Sequence, residues 1–366
     1  MRCIVLTISA IILIFKSPVL SSAYDINEKL SLEGKLTGVF QYGNFDEGGV
    51  HYPGRGSGIL DAGMNFHPTE TDEFQLTASY TNQEGLNEVS PFSLAPYADD
   101  LRGDLRHING RDRSFLLEAW YKHKFIFSQN VSLALTGGII DSTCYIDDNA
   151  FANDENAQFM NEVFVNHKNC SLPSYDVGGA VELEISKFTI RGVEMATKNK
   201  EGRHYNYHAL QLGYRAETCL GEGNYRIYGS LTSDKFHDYD ASGHERLKGW
   251  GVSCDQKLGE ILGVFTRLGW QDDEAAIDHD GVYSLGLNCN GKLWGREKDE
   301  IGVGYAYLEG ADKAEINHTN AAEAYIKFQL CDFSDLTFDL QYMQDKIKED
   351  KDPEGFIYGI RLNTYF

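Results

Sequence analysis

The sequence predicts an all-β chain: a transmembrane, antiparallel, up-and-down β-barrel of about sixteen strands. Three observations predict it. Apolar and polar residues alternate with period two in about sixteen segments, most of them about 10 to 13 residues long, the length of a tilted membrane-crossing strand. The connections alternate long and short, as in an outer-membrane barrel with short periplasmic turns and long extracellular loops. The chain also ends on an alternating segment, Phe356-Tyr358-Ile360-Leu362-Thr364-Phe366, as expected of a strand that closes such a barrel.

Composition is consistent with this reading and excludes several others. Of 366 residues, 42% are hydrophobic and 24% charged, which excludes a disordered or collagen-like chain. Mean hydropathy is −0.38, and no apolar run near 20 residues follows the first two dozen, which excludes a helical membrane bundle. A barrel escapes that test because its alternating strands average to a polar score. Lys and Arg number 33 against 55 Asp and Glu, a net charge of 33 − 55 = −22, so no nucleic-acid partner is expected.

The N-terminal segment reads as a cleaved signal peptide over 1–23. Met1-Arg2 supplies a positive start, Cys3 to Phe15 an apolar core, and Ser21-Ser22-Ala23 the small residues of a cleavage site. Cleavage after Ala23 removes Arg2 and Lys16, leaving 31 − 55 = −24 on a single barrel domain, 24–366. Export places Cys144, Cys170, Cys219, Cys254, Cys289 and Cys331 in an oxidising compartment. Their spacings match no CxxC or zinc pattern. Only Cys144 and Cys170 share one inter-strand segment, and they are the expected disulfide.

The strands are expected at 31–42, 57–67, 72–82, 113–125, 130–140, 175–185, 187–197, 205–218, 223–232, 247–257, 260–271, 281–292, 299–309, 321–331, 334–345 and 356–366. Long loops fall at 43–56, 83–112, 141–174, 198–204, 233–246, 310–320 and 346–355. Short turns fall at 68–71, 126–129, near Ser186, 219–222 and 258–259. An even strand number returns both termini to the periplasmic side. One face of the alternation, with Phe40, Phe74, Leu76, Leu135, Leu183, Leu210, Leu212, Leu285, Ile326 and Ile360, is apolar enough for outer-membrane lipid. The other carries Lys35, Asp61, Glu118, Lys122, Glu182, Arg226, Arg267, Glu323 and Arg361. A soluble sandwich would reverse the two, and sixteen strands leave a lumen wide enough for water.

Several stretches carry a family resemblance. They are Leu117-Glu118-Ala119-Trp120-Tyr121, Asp148-Asn149-Ala150-Phe151-Ala152-Asn153, Gln158-Phe159-Met160-Asn161, Gly263-Val264-Phe265-Thr266-Arg267-Leu268-Gly269-Trp270, Gly291-Lys292-Leu293-Trp294-Gly295-Arg296, Glu323-Ala324-Tyr325 and Gly359-Ile360-Arg361-Leu362. In their order and spacing, over nearly the whole mature chain, the sequence resembles the carbohydrate-selective porin (OprB-type) family. The resemblance implies a sixteen-stranded outer-membrane channel for facilitated diffusion of small sugars, with loops folded into the mouth. The six cysteines and long acidic loops depart from typical members.

A sugar pore needs aromatic faces for CH edges and charged or amide groups that exchange hydrogen bonds with hydroxyls. Trp120 beside Glu118, with Asp61, Arg226, Arg267, Glu323 and Arg361 on other strands, are the candidate pore-lining residues; the alternative is that these charges only solvate the lumen. Loop 83–112 carries Arg102, Arg106 and Arg111, with Arg113 just beyond it, among Asp99, Asp100, Asp104 and Asp112, and either folds inward as a constriction or stays solvated outside. Asp141, Asp147, Asp148, Asp154 and Glu155 lack EF-hand spacing and read as a solvated extracellular loop. No metal, cofactor or catalytic motif is expected: GxSxG, HExxH and P-loop patterns are missing, and Gly54-Arg55-Gly56-Ser57-Gly58 lacks the strand-then-helix context of a phosphate cradle. Expected partners are sugars in the lumen, outer-membrane lipid, and the barrel-assembly machinery at the strand ending in Phe366. No trimer signature is present, which leaves a homo-oligomer open. Two rival functions remain: a general or cation-preferring diffusion porin, and a plugged structural or adhesive surface barrel.

Overall fold

The computed structural model describes residues 23–45, 54–98, 101, 116–199 and 201–366. The expected signal peptide, apart from Ala23, and the basic stretch with Arg102, Arg106 and Arg111 lie outside the described residues. Sixteen antiparallel strands close on themselves. In chain order they are β1 (Leu30–Phe45), β2 (Gly54–Phe66), β3 (Asp72–Thr81), β4 (Leu116–Ser128), β5 (Val131–Ile140), β6 (Asp176–Ile185), β7 (Phe188–Lys198) and β8 (His204–Thr218). The second half comprises β9 (Gly221–Thr232), β10 (Lys248–Leu258), β11 (Leu262–Gln271), β12 (His279–Asn290), β13 (Glu300–Gly310), β14 (Ile316–Cys331), β15 (Ser334–Ile347) and β16 (Glu354–Tyr365). Each strand pairs with its sequence neighbours, and β16 closes on β1 in the register Arg361↔Val39 and Gly359↔Gln41. A short strand, Ala23–Asn27, folds back on the start of β1.

All sixteen expected segments are present, with ends within three residues except at β14, which begins at Ile316 rather than 321. Asn317, His318 and Asn320 interrupt the apolar alternation there, so periodicity is blind to the added turn of ladder. The loop asymmetry holds with one exception: the connection between β12 and β13, 291–299, falls on the side of the short turns yet is longer than that between β13 and β14. Ser186 occupies a positive-φ position (φ 56°) in the two-residue turn between β6 and β7.

The outer face is an apolar belt: Phe40, Phe74, Leu135, Leu210, Leu285, Phe338 and Phe356 are all exposed. The inner face is polar, but much of it is not wet. Segment 82–98 and all of 141–175 fold into the barrel. Leu86, Phe92 and Leu94 from the first, with Phe159, Val163 and Phe164 from the second, pack against Phe265, Ala306, Leu308, Ala321, Tyr325, Met343 and Ile357 of the wall. Tyr145, Ile146 and Cys170 pack against Val193, Met195, Tyr207 and Tyr228. Burial of this apolar surface, at roughly 25 cal/mol per Å², gives the inserted loop its own core. The acidic stretch 141–174 is therefore not the solvated extracellular loop its composition suggests. Its apolar residues, Tyr145, Ile146, Phe159, Val163 and Phe164 among them, are buried, and its Asp147 and Asp148 meet arginines of the wall.

Candidate functional site

Two kinds of inner wall divide the lumen. Over β9–β16 the inserted loop is tied down by side chains that alternation points inward. Arg267 on β11 is wholly buried; its Nε donates to both oxygens of Asp147 at 2.8 and 3.0 Å, Nη1 to the carbonyl of Phe164 at 2.8 Å, and Nη2 to the carbonyls of Ala152 and Val165. Arg361 on β16, also buried, donates to the carbonyls of Glu155 and Gln158 and to Thr337 Oγ1. The Glu323 carboxylate on β14 accepts from the backbone N–H of Asn161 at 2.9 Å and of Met160. Arg226 on β9 joins Asp148 at 2.8 Å to Asp255 at 2.6 Å. A buried charge is tolerated only when paired and hydrogen-bonded, and loop carbonyls and carboxylates meet that condition here.

Glycine makes room for the same loop. A side chain at Gly269 would place its Cβ 1.6 Å from His167 Cε1, and one at Gly249 would lie 1.8 Å from the carbonyl oxygen of Asn169. The short 3₁₀ turn Lys168–Cys170 thus lies against bare backbone of β10 and β11. His167 is buried beside Tyr228, ring centroids 5.5 Å apart, and its Nδ1 accepts from the Asn169 N–H at 3.2 Å. Burial pushes its imidazole down to about 4, so it is neutral at pH 7.

Over β1–β7 only part of the wall stays half-open, since Val39 and Ile59 are buried under Tyr97 and Met160, and Val193 and Met195 under Tyr145 and Ile146. Lys35 pairs with Asp61 at 3.1 Å. Glu118 on β4 accepts from Trp120 Nε1 at 3.2 Å and from Thr77 Oγ1 at 3.3 Å. Lys122 pairs with Glu182 at 3.1 Å, its Nζ 5.3 Å from the Trp120 ring and 5.7 Å from that of Tyr145. Arg191 bridges Glu182 at 3.5 Å and Asp148 at 2.9 Å. A cavity of about 510 Å³ lies between Lys35 of β1, Ala98 and the inserted loop, which lines it with Asp141, Asn153, Asp154, Glu155 and Lys168 among others. Asp141 caps the turn Ser142–Cys144 by accepting from the Thr143 N–H at 2.9 Å, and burial holds its carboxyl above the usual range.

The sequence-derived candidates therefore separate. Asp61, Glu118 and Trp120 come together on the open wall. Arg226, Arg267, Glu323 and Arg361 lie beneath the inserted loop and anchor it; fully buried Arg267 and Arg361 have no face toward open water, which corrects their expected place on the lining. Cys144 and Cys170 are both free thiols, not the expected disulfide: Cys170 is turned into the cluster with Tyr207 and Tyr228, while Cys144 is exposed. Cys219, Cys254, Cys289 and Cys331 are free as well. Sequence reasoning missed Tyr145, Asp147, Asp148 and Arg191 as site residues. Arg191 left a parity signal, inward beside Glu182; Asp147 and Asp148 showed only as members of an acidic stretch, Asp148 also opening a family-like segment, and Tyr145 left none.

Similarity to known proteins agrees with this geometry. The model of the carbohydrate-selective porin, OprB family, matches residues 60–366. An uncharacterised protein of Aquifex aeolicus (strain VF5) is 30% identical over 300 residues, covering 80% of this chain and 82% of that one. The high-pH structure of Pseudomonas putida OprB superposes with a TM-score of 0.75 at 16% identity, over 92% of this chain and 94% of that one. Outer-membrane expressed OmpT of Vibrio cholerae superposes with a TM-score of 0.55 at 10% identity, over 93% and 99%. The two superpositions speak to the barrel alone. A closed barrel with an apolar outer belt, a loop-narrowed polar lumen and a family match over most of its length is a channel of the outer membrane: the chain belongs to the carbohydrate-selective porin, OprB family.

Proposed function

We propose that small neutral sugars cross this porin along the half-open part of the β1–β7 wall, past Trp120 where it meets the inserted loop. The observation that carries the reading is the contrast between the two walls. The β9–β16 side is sealed by loop 141–175, whereas Asp61, Glu118, Trp120, Lys122 and Glu182 stay half-open, and a cavity of about 510 Å³ lies between Lys35 of β1 and the loop. That volume lies within the range of small-molecule clefts, about 300–1,000 Å³. The Trp120 ring offers a face for the CH edges of a pyranose. Glu118 and Glu182 accept from its hydroxyls and Lys122 donates, so a polyol exchanges water for these groups at little net cost, binding weakly enough to leave.

The test is single-channel conductance of the chain from Tyr24 to Phe366 in a planar bilayer, with glucose and a maltodextrin titrated in. The expected result is a current that falls saturably with sugar, with Trp120→Ala weakening the block about tenfold. A current indifferent to both sugars would remove the sugar lane, and a barrel without conductance would favour the plugged reading.

A cation preference is a second reading, supported by lining charge. Asp61, Glu118, Asp141, Asp154, Glu155 and Glu182 outnumber Lys35, Lys122, Lys168 and Arg191 along the lane, and a net-negative lumen attracts cations. A reversal potential under a potassium chloride gradient separates the two, because a neutral sugar lane needs no bias.

A further inference from the structure

A cavity away from the lumen opens between the extracellular ends of β7, β8 and β9. The turn 199–203 is built on Asn199, whose N–H donates to the Arg203 carbonyl at 3.0 Å and whose Oδ1 accepts from the Arg203 N–H at 2.9 Å. Segment 233–247 folds beside it as a short hairpin in which His237 and His244 are register partners, their rings 4.9 Å apart. Asn199 Nδ2 donates to the Lys235 carbonyl at 3.0 Å, and Tyr205 meets Phe236 with ring centroids 5.0 Å apart, so the two loops form one frame. Between them Arg203, His204, Asp234, Lys235 and His244 line a space of about 560 Å³. Parity turns His204 to the outer face, in series with Asn206, His208, Leu210, Leu212 and Tyr214, all exposed. His208 Nδ1 stands 4.0 Å from Oε1 of Glu194, which points outward from β7. Phe188 and Tyr214, ring centroids 4.9 Å apart, mark the periplasmic aromatic level. His204 lies ten residues from Tyr214 along β8. That is about 33 Å along the strand, or about 25 Å in height at a tilt near 40°, the full height of an apolar band. The cavity therefore stands at the level of the outer-leaflet headgroups.

We propose that this cavity seats a phosphate group of a glycolipid of the outer leaflet, held by Arg203 and Lys235. The inference rests on the outer-membrane reading of the barrel. In the lumen acids outnumber cations; here Arg203 and Lys235 face one lining acid, Asp234, and His204 and His244 add imidazole donors. The hydrogen bonds of Arg203 are incomplete. Its Nε pairs with Glu201 at 3.2 Å, and its Nη2 lies 3.0 Å from His237 Nε2. A guanidinium only donates, so His237 Nε2 accepts and the ring hydrogen sits on Nδ1. That leaves Arg203 Nη1 and His237 Nδ1 as donors with no partner among the described residues. A phosphate brings several acceptor oxygens and matches the fork of a guanidinium. Lys198, the register partner of His204, adds a cation at the same rim. Below the cavity Leu210, Ile227 and Leu231 are exposed and apolar, a surface for the acyl chains of the same lipid.

The test titrates lipid A, a glucosamine disaccharide lipid bearing two phosphates, into the intact porin in mild detergent. Bound lipid is read by native mass spectrometry, with dephosphorylated lipid A and inorganic phosphate as separate arms and conductance recorded in parallel. The expected result is one lipid A retained per chain, with the dephosphorylated form bound at least tenfold more weakly. Arg203→Gln and Lys235→Gln should each raise the lipid A dissociation constant at least fivefold and leave single-channel conductance unchanged, because both side chains stand outside the lumen. Lys235 is exposed, so its variant assembles even if loss of Arg203 unsettles the turn. Lys346→Gln, which removes a rim cation that is paired with Asp352 instead, should be silent. Equal retention of the dephosphorylated lipid, retention indifferent to both cavity variants, or inorganic phosphate bound with no lipid retained would each overturn the proposal. A chain that binds lipid A as expected and does not conduct would keep this site and count against the channel reading alone.

Discussion

Arg267 of β11 and Asp147 of the inserted loop face each other with Nε 2.8 and 3.0 Å from the two carboxylate oxygens, and neither side chain is exposed. Asp147 adopts φ 63°, a left-handed backbone that Asp tolerates better than a β-branched residue. One guanidinium thus holds a strained loop residue and three loop carbonyls in a single cage. The lumen is narrow on this side because the cage is closed.

Removing the guanidinium should therefore open the pore. Arg267→Ala leaves the Asp147 carboxylate buried and unpaired, at a cost of about 3–5 kcal/mol. The expected outcome is a lower thermal midpoint and a larger, noisier single-channel conductance as loop 141–175 leaves the wall. Arg267→Met with Asp147→Leu, which removes both charges together, should lose much less. Unchanged conductance in Arg267→Ala would mean that the loop does not set the aperture.

Gly269→Val tests the same docking without touching a charge. A Cβ at that position overlaps the His167 ring, so the turn Lys168–Cys170 must lift. Conductance noise should rise as in Arg267→Ala while the barrel remains resistant to detergent unfolding. The outward Gly192, which has no such contact, provides the control, and its substitution by alanine should be silent.

His167 makes docking dependent on pH. Burial holds its imidazole at about 4, below the 6.5 of a free histidine. Between these values the undocked loop binds a proton that the docked loop refuses, so docking weakens as pH falls through this window and is fully stabilised above about 6.5. The span of about 2.5 units corresponds to about 3 kcal/mol. Noise and protease sensitivity of the loop should rise from pH 7 to pH 4.5, and His167→Gln should flatten that profile.

Lane charge is the fourth handle. Glu118→Gln and Asp61→Asn each remove one acid from the open wall without disturbing the caged loop. Each should shift the reversal potential toward anions by a few millivolts, whereas Glu194→Gln on the outer face should leave it unchanged. Equal shifts from inner and outer substitutions would mean that ions sense the net charge of the molecule and not the lining.

The sequence alone determined the barrel. Hydrogen bonding in a membrane leaves a closed sheet as the solution for alternating strands, and period-two patterning sets which face meets lipid. Hence sixteen segments, the alternating loops and the inward parity of Asp61, Glu118, Trp120, Arg226, Arg267, Glu323 and Arg361 were all legible. What those inward groups do was decided only by tertiary structure. Arg267 and Arg361 show the same parity as Trp120, yet they are sealed under loop 141–175 while Trp120 remains half-open. Parity assigns a side chain to a face and says nothing about what comes to rest on it. The loop's own path depends on contacts between residues more than 100 positions apart, such as Asp147 with Arg267 and Asn161 with Glu323. Local composition reads those acids as solvated, because the arginines that pair with them are brought near only when the barrel closes.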